Sequence, residues 1–138
     1  MKHLRRQIPV TKAMRLRVEF APPHTARVRA PLAPNRNDKG TAFAGSIFSA
    51  LVLAPWSLLT ALLKERGIEA DVMVYRCDVK YLQPVRAGFV AECAAPTAHR
   101  KLTALPARVT LTSVIRAPDG KPAATFRGSY YVRARRAK

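Results

Sequence analysis

Short runs of alternating apolar and polar residues occupy both ends of this chain, and one long uncharged stretch separates them. Met14, Leu16, Val18 and Phe20 alternate with Arg15, Arg17 and Glu19, the period of two expected of a half-buried strand. Pro22 and Pro23 turn the chain, and Ala26, Val28 and Ala30 then alternate with Arg27 and Arg29, so the two runs read as a hairpin. Beyond Gly67 the same period returns. Met73, Tyr75, Cys77, Val79 and Tyr81 are expected on one face, with Arg76, Asp78 and Lys80 on the other. Pro84 ends that run, and Phe89, Ala91 and Cys93 continue the sheet. Val109, Leu111, Ser113 and Ile115 predict a further strand, Pro118-Asp119-Gly120 a turn, and Phe126, Gly128, Tyr130 and Val132 a last strand.

From Thr41 to Leu63 no residue carries a charge, a length that raises a membrane span. Pro55 in mid-run, the hydroxyls of Ser46, Ser49, Ser57 and Thr60, and the flanking strand patterns favour a helix buried in a sheet instead. Lys64 and Arg66 suit the negative end of its dipole, and Gly67 suits the position just past its end. Residues Met1 to Lys12 read as a short lead-in helix or arm with Arg5 and Arg6 exposed. The expected architecture is α+β: an antiparallel sheet of five to six strands curled round one long central helix, in one domain over 1–138.

Composition changes this picture in two respects. The net charge of +17 over 138 residues implies attraction to polyanions, whether nucleotide phosphates, nucleic acid, anionic lipid or an acidic protein. Two cysteines, Cys77 and Cys93, without CxxC spacing, give no metal site and read as free buried thiols in a reducing compartment. The start of the chain is basic without an apolar core, so no secretory signal is visible and a cytoplasmic location is expected.

The segment APLAPNRNDKGTAFAGSIFSAL from Ala30 to Leu51, with Trp56, DVKYLQPV from Asp78 to Val85 and FRGSYYV from Phe126 to Val132, resembles the hotdog-fold thioesterase family found as the C-terminal domain of YiiD-type acetyltransferases. The resemblance covers nearly the whole chain. It implies a thioester of coenzyme A or an acyl carrier protein, bound at the interface of a homodimer or higher oligomer. The acyl group would enter beside the helix, and the carbonyl would meet the helix N-terminus. No cofactor or metal is implied. Many hotdog relatives carry HGG at that terminus and a carboxylate along the helix. Here Phe43-Ala44-Gly45 stands at the first place, and Ser46 to Leu63 holds no carboxylate.

Thioester hydrolysis needs an activated water and a stabilised oxyanion. Gly45 and Ser46 are the candidate backbone donors, because a helix N-terminus leaves N–H groups unpaired. The alternative for Gly45 is tight packing. Asn37 is a candidate to orient water or the carbonyl, and Asp38 to act as base; both are also ordinary turn residues. Gly40, Thr41, Phe43 and Tyr81 are candidates to line the substrate site, with core packing as the other reading of Tyr81. His3, His24 and His99 fall in the arm or loops and suggest no triad. Arg100, Lys101, Arg133, Arg135 and Arg136 are candidates for phosphates or an acidic carrier. Two rivals stand beside the thioesterase: a hotdog module that binds acyl thioesters without cleaving them, and a nucleic-acid binder. The second lacks a recognised motif, and its aromatics are expected on apolar faces.

Overall fold

In the computed structural model, which describes residues 3–136, two short helical turns, α1 (Leu4–Gln7) and α2 (Val10–Ala13), precede the hairpin β1 (Arg17–Ala21) and β2 (Thr25–Ala30). The long helix α3 (Ala44–Glu65) follows, then β3 (Ala70–Tyr81), β4 (Phe89–Ala94), β5 (Ala107–Arg116) and β6 (Pro122–Ala134). The six strands form one sheet in the order β1-β2-β4-β5-β6-β3, every neighbouring pair antiparallel. That is the α+β wrap expected. The lead-in is less free than an arm: Leu4, Thr11 and Leu16 are each buried, while Arg5 and Arg6 face solvent.

The α3 helix is long and apolar enough to cross a membrane, yet Ala50, Leu51, Ala54, Leu58, Leu59 and Leu62 are buried against the sheet. It is the core helix of the fold. At its end the Ile68 N–H reaches Leu63 O at 2.9 Å and the Gly67 N–H reaches Lys64 O at 3.0 Å, with Gly67 at φ +66°. This pair of bonds closes the helix, and the left-handed φ explains the glycine. Within the helix, Pro55 has no N–H to give to Leu51 O, four residues back. The buried Ser113 hydroxyl on β5 donates to that carbonyl instead, at 2.7 Å. One turn of the helix is thus satisfied from the sheet.

Two expectations about β3 need correction. Val72 and Val74 pair with the core residues Val132 and Tyr130, but a bulge between Val74 and Arg76 shifts the register. Beyond it Cys77, Val79 and Tyr81 pair with Gly128, Phe126 and Ala124 and face the helix. Met73 and Tyr75 therefore lie on the outer side, where the Arg108 guanidinium sits 5.9 Å from the Tyr75 ring centroid. A single inserted residue reverses the alternation, which a strict period of two cannot register. The second correction concerns the thiols. Cys93 is buried, and that burial pushes its pKa up to about 12, but Cys77 is exposed because β3 is an edge strand.

Candidate functional site

The chain enters α3 through a loop built on two asparagines. Asn35, only 1% exposed, donates from Nδ2 to Met14 O at 2.9 Å and Pro31 O at 2.7 Å, and its own carbonyl accepts the Phe43 N–H at 2.7 Å. It ties the start of the helix to the segment before β1. The sequence reading missed it; the only signal was its place in the Asn35-Arg36-Asn37 triplet.

Asn37 closes the tip of the loop. Its Oδ1 accepts the N–H groups of Lys39 and Thr41 at 2.9 and 3.0 Å, and its Nδ2 donates to Thr41 Oγ1 at 2.8 Å and Ala42 O at 3.4 Å. An amide offers two donors and two lone pairs, so the turn uses all of them. Gly40 adopts φ +78° at the bend, which favours glycine there. Asp38 is turned to solvent, its side chain 81% exposed and ion-paired with Lys39 at 3.2 Å. Asn37→Ala is therefore expected to destabilise the fold by about 1–3 kcal/mol, since it strips the partners of several loop groups. Asp38→Asn is expected to leave the melting temperature within about 1–2 °C, because exposed ion pairs contribute little. Thermal melts of the two variants check both.

Ala44 and Gly45 open the helix after Phe43, whose φ and ψ of −65° and 135° are extended and whose side chain makes no capping bond. Among the described residues the N–H groups of Ala44 and Gly45 have no partner, whereas the Ser46 N–H already reaches Phe43 O at 3.0 Å. The free donors are thus one residue earlier than expected: Ala44 and Gly45 rather than Gly45 and Ser46. The first helical turn has no earlier carbonyls to accept from these groups. The Phe43 ring, 55% exposed, lies over Gly45; a Cβ there would fall 2.5 Å from its Cε1. So the glycine does serve packing, against this ring.

Tyr81 completes the cluster. It is 51% exposed, not core, and its hydroxyl donates to Ala44 O at 3.1 Å, which fixes the end of β3 against the first turn of α3. Burial, and less strongly the Cys77 thiol, raise its pKa, so the phenol stays a neutral donor at physiological pH. Thr41 lies in the loop beneath, its hydroxyl held by Asn37. The structure thus brings Gly40, Thr41, Phe43, Gly45 and Tyr81 to one end of α3, beside the free edge of the sheet.

The basic residues divide between the two ends of the helix. Arg66 donates to the carbonyls of His99 and Leu102, so Arg100 and Lys101 belong to the C-terminal end of α3. Arg133 and Arg135 pair with Asp71, and the Arg135 N–H bonds Glu69 O, also at that end. A helix of 22 residues spans about 33 Å, so within one chain these cations are remote from Ala44 and Gly45. Arg36, bridged to Ala42, Lys39 in the loop and Arg86, next to the Val85 carbonyl that accepts the Ala42 N–H, are the cations near the N-terminus. Among the described residues no cluster of His, Cys, Asp and Glu could hold a metal ion.

Known proteins share this fold. A protein of unknown function from Chlorobaculum tepidum TLS superposes with a TM-score of 0.88 at 29% identity, over 97% of this chain and 91% of its own. A putative thioesterase from Shewanella oneidensis gives 0.84 at 27% identity, over 96% and 93%. A thioesterase family protein from Silicibacter pomeroyi, at 18% identity, shares the fold with a TM-score of 0.76 over 97% and 96%. Residues 1–134 match the family described as Putative thioesterase (yiiD_Cterm). The chain is a hotdog-fold protein and belongs to this yiiD C-terminal thioesterase family.

Proposed function

We propose that the protein hydrolyses acyl thioesters of coenzyme A or an acyl carrier protein at the N-terminus of α3. One observation carries the reading: the unpaired N–H groups of Ala44 and Gly45 start a 22-residue helix beside an exposed strand edge. Two convergent backbone donors with the positive end of a helix dipole suit the oxyanion of a tetrahedral intermediate. In this reading the thioester carbonyl oxygen points at Ala44 and Gly45, the Phe43 ring shields it from solvent, and Tyr81 braces the turn. Asn37 holds the loop in place, and Asp38, on the same loop but turned to solvent beside Lys39, is kept as the base to be tested. Arg36, Lys39 and Arg86 face the phosphates of the carrier. A melt with an acyl-CoA thioether, which cannot be hydrolysed, should raise the melting temperature, while random duplex DNA at physiological salt should not. The reverse pattern would favour the polyanion reading.

A homodimer belongs to the same proposal. The β3 edge runs 12 residues without a partner on its outer side, with Met73, Val74, Tyr75 and Tyr81 exposed. Such an edge is an aggregation hazard unless paired, and an antiparallel copy of the same strand related by a two-fold at Cys77 would set Arg76 against Asp78. Light scattering at tens of micromolar, well above ordinary dissociation constants, is expected to give twice the monomer mass; a monomer would argue against the shared site. The binding-module reading keeps one observation on its side: α3 offers no carboxylate before Glu65, at its far end.

A further inference from the structure

The outer face of the sheet, away from α3, gathers charge and aromatic rings into one band. Its rows follow from the strand register. Arg108, Tyr131 and Met73 lie side by side across β5, β6 and β3; Thr110, Ser129 and Arg76 make the next row, and Thr112, Arg127 and Asp78 the one after. These side chains point away from the buried set Val109, Leu111, Tyr130 and Val132. The bulge between Val74 and Arg76 adds Tyr75 to the same face, 54% exposed, with the Arg108 guanidinium 5.9 Å from its ring centroid. Strict alternation keeps the rings on apolar faces; the bulge sets one among the arginines. The carboxylates here are largely engaged. Glu92 holds Arg27, Glu19 holds Arg29, and Asp71 holds Arg133 and Arg135. Among the described residues Arg76, Lys80, Arg108 and Arg127 pair with no carboxylate, and Asp78 stands alone between Arg76, Lys80 and Arg127. Two clefts flank the middle row, where the Thr110 and Ser129 hydroxyls bond at 3.0 Å. One, of about 690 Å³, is lined by Tyr131, Arg133, Arg135 and Arg136 with Asp71. The other, of about 640 Å³, is lined by Lys80, Arg116 and Arg127 with Asp78 and Glu92.

We infer that this face binds single-stranded nucleic acid, with phosphates on the unpaired arginines and Lys80 and bases stacked on Tyr75 and Tyr131. Arginine suits both tasks: its planar fork meets a phosphate with two N–H groups, and its flat face stacks on rings. An unpaired base offers its π-face to a tyrosine whatever its sequence. Duplex fits poorly. Six strands at about 4.8 Å spacing make a face about 24 Å wide, twice the roughly 12 Å of the major groove. A duplex can therefore touch the sheet only through its phosphates, and an anionic lipid surface offers no base to stack. Pairing of β3 with another chain would use the in-plane backbone edge and leave these outward side chains open. The inference stands apart from the thioester reading, whose donors start the helix on the opposite face of the sheet.

The test is fluorescence anisotropy with a labelled RNA of mixed sequence and about twenty nucleotides, the matching single-stranded DNA, and their length in duplex DNA, at rising salt. Single strands should bind at least about tenfold more tightly than duplex at physiological salt, the worth of one stacked base. Binding of RNA, of DNA or of both would each keep the proposal and name the source. Tyr75→Ala should weaken the single strands about tenfold and leave duplex unchanged, while Tyr75→Phe should bind as wild type does. Arg108→Gln combined with Arg127→Gln should flatten the slope of log affinity against log salt by about 1.4, or about 0.7 for each lost phosphate contact. All three residues are exposed, and a thermal melt checks that each variant keeps the fold. The same charge removed from α1, as Arg5→Gln with Arg6→Gln, should change nothing; an equal loss there would mean general attraction and overturn the assignment to this face. A saturating acyl-CoA thioether should leave single-strand affinity as it was, and competition between the two would place the strand at the helix start instead. Equal affinity for duplex and single strand with Tyr75→Ala silent, no binding of either, or capture by phosphatidylserine vesicles in place of the strands would each overturn the proposal.

Discussion

Ala44→Pro is expected to fold as the wild type does and to turn over thioesters about 10²–10³-fold more slowly, the cost of losing one oxyanion donor. The substitution removes an N–H and little else. Ala44 is the first helical residue, where proline is favoured because that N–H has no helical partner. Phe43 before it already has φ −65° and ψ 135°, the extended conformation that a following proline requires. The Ala44 side chain is exposed, so the ring meets no packed neighbour. Its carbonyl, which holds Tyr81, is kept. The readout is kcat at saturating substrate beside a thermal melt. Unchanged kcat with an intact fold would remove this N–H from the mechanism. Gly45→Ala differs in kind, since it leaves the N–H and displaces the Phe43 ring.

The second large effect concerns stability. Ser113→Ala should cost about 2 kcal/mol, or roughly 6–10 °C in melting temperature, because Leu51 O is left buried without a donor. Pro55 is the reason, and it supplies the control. In a Pro55→Ala background the helix regains its own N–H for Leu51 O, and the Ser113→Ala loss should shrink to a few tenths of a kcal/mol. Chemical denaturation of the four proteins in this cycle gives the coupling. Additive losses would mean that Ser113 matters for packing and not for the carbonyl.

That pair also marks how far the sequence could be read. The alternation of Val109 to Ile115 was legible because one face of that strand is buried and the other wet. The Met14 to Phe20 run was misread at its start: β1 begins at Arg17, Met14 and Arg15 lie in the turn after α2, and Phe20 is exposed. The C-terminal end of the helix was legible through Lys64 and Gly67, whose chemistry answers a local need there, although the Arg66 side chain reaches away to His99 O and Leu102 O. The proline in mid-helix could be seen as a cost, but its remedy on β5 lies 62 residues from the Leu51 carbonyl it serves. The inserted residue at Val74–Arg76 broke the face assignment of β3, since a bulge is decided by both strands and not by one.

At the site the same division holds. The loop and the helix start were legible as a unit, but the free donors sit at Ala44 and Gly45, a shift of one that depends on where Phe43 leaves the extended region. The Asn37 amide was open to a role toward substrate until its four local bonds accounted for it. Tyr81 was legible as an aromatic on a strand and not as a brace on the helix, because that contact joins residues 37 apart in the chain. Arg100 and Lys101 were drawn toward the phosphates by charge alone; only the Arg66 bonds place them at the opposite end of α3.

The central claim is hydrolysis at that helix start, and thiol release tests it most directly. Purified protein, with acyl-CoA and acyl-carrier-protein thioesters across chain lengths, is read by a thiol reagent against a no-enzyme rate. The account predicts release well above that rate, saturating with substrate. Saturable binding of the thioesters with no release from any of them would contradict it and make the protein a carrier of acyl groups.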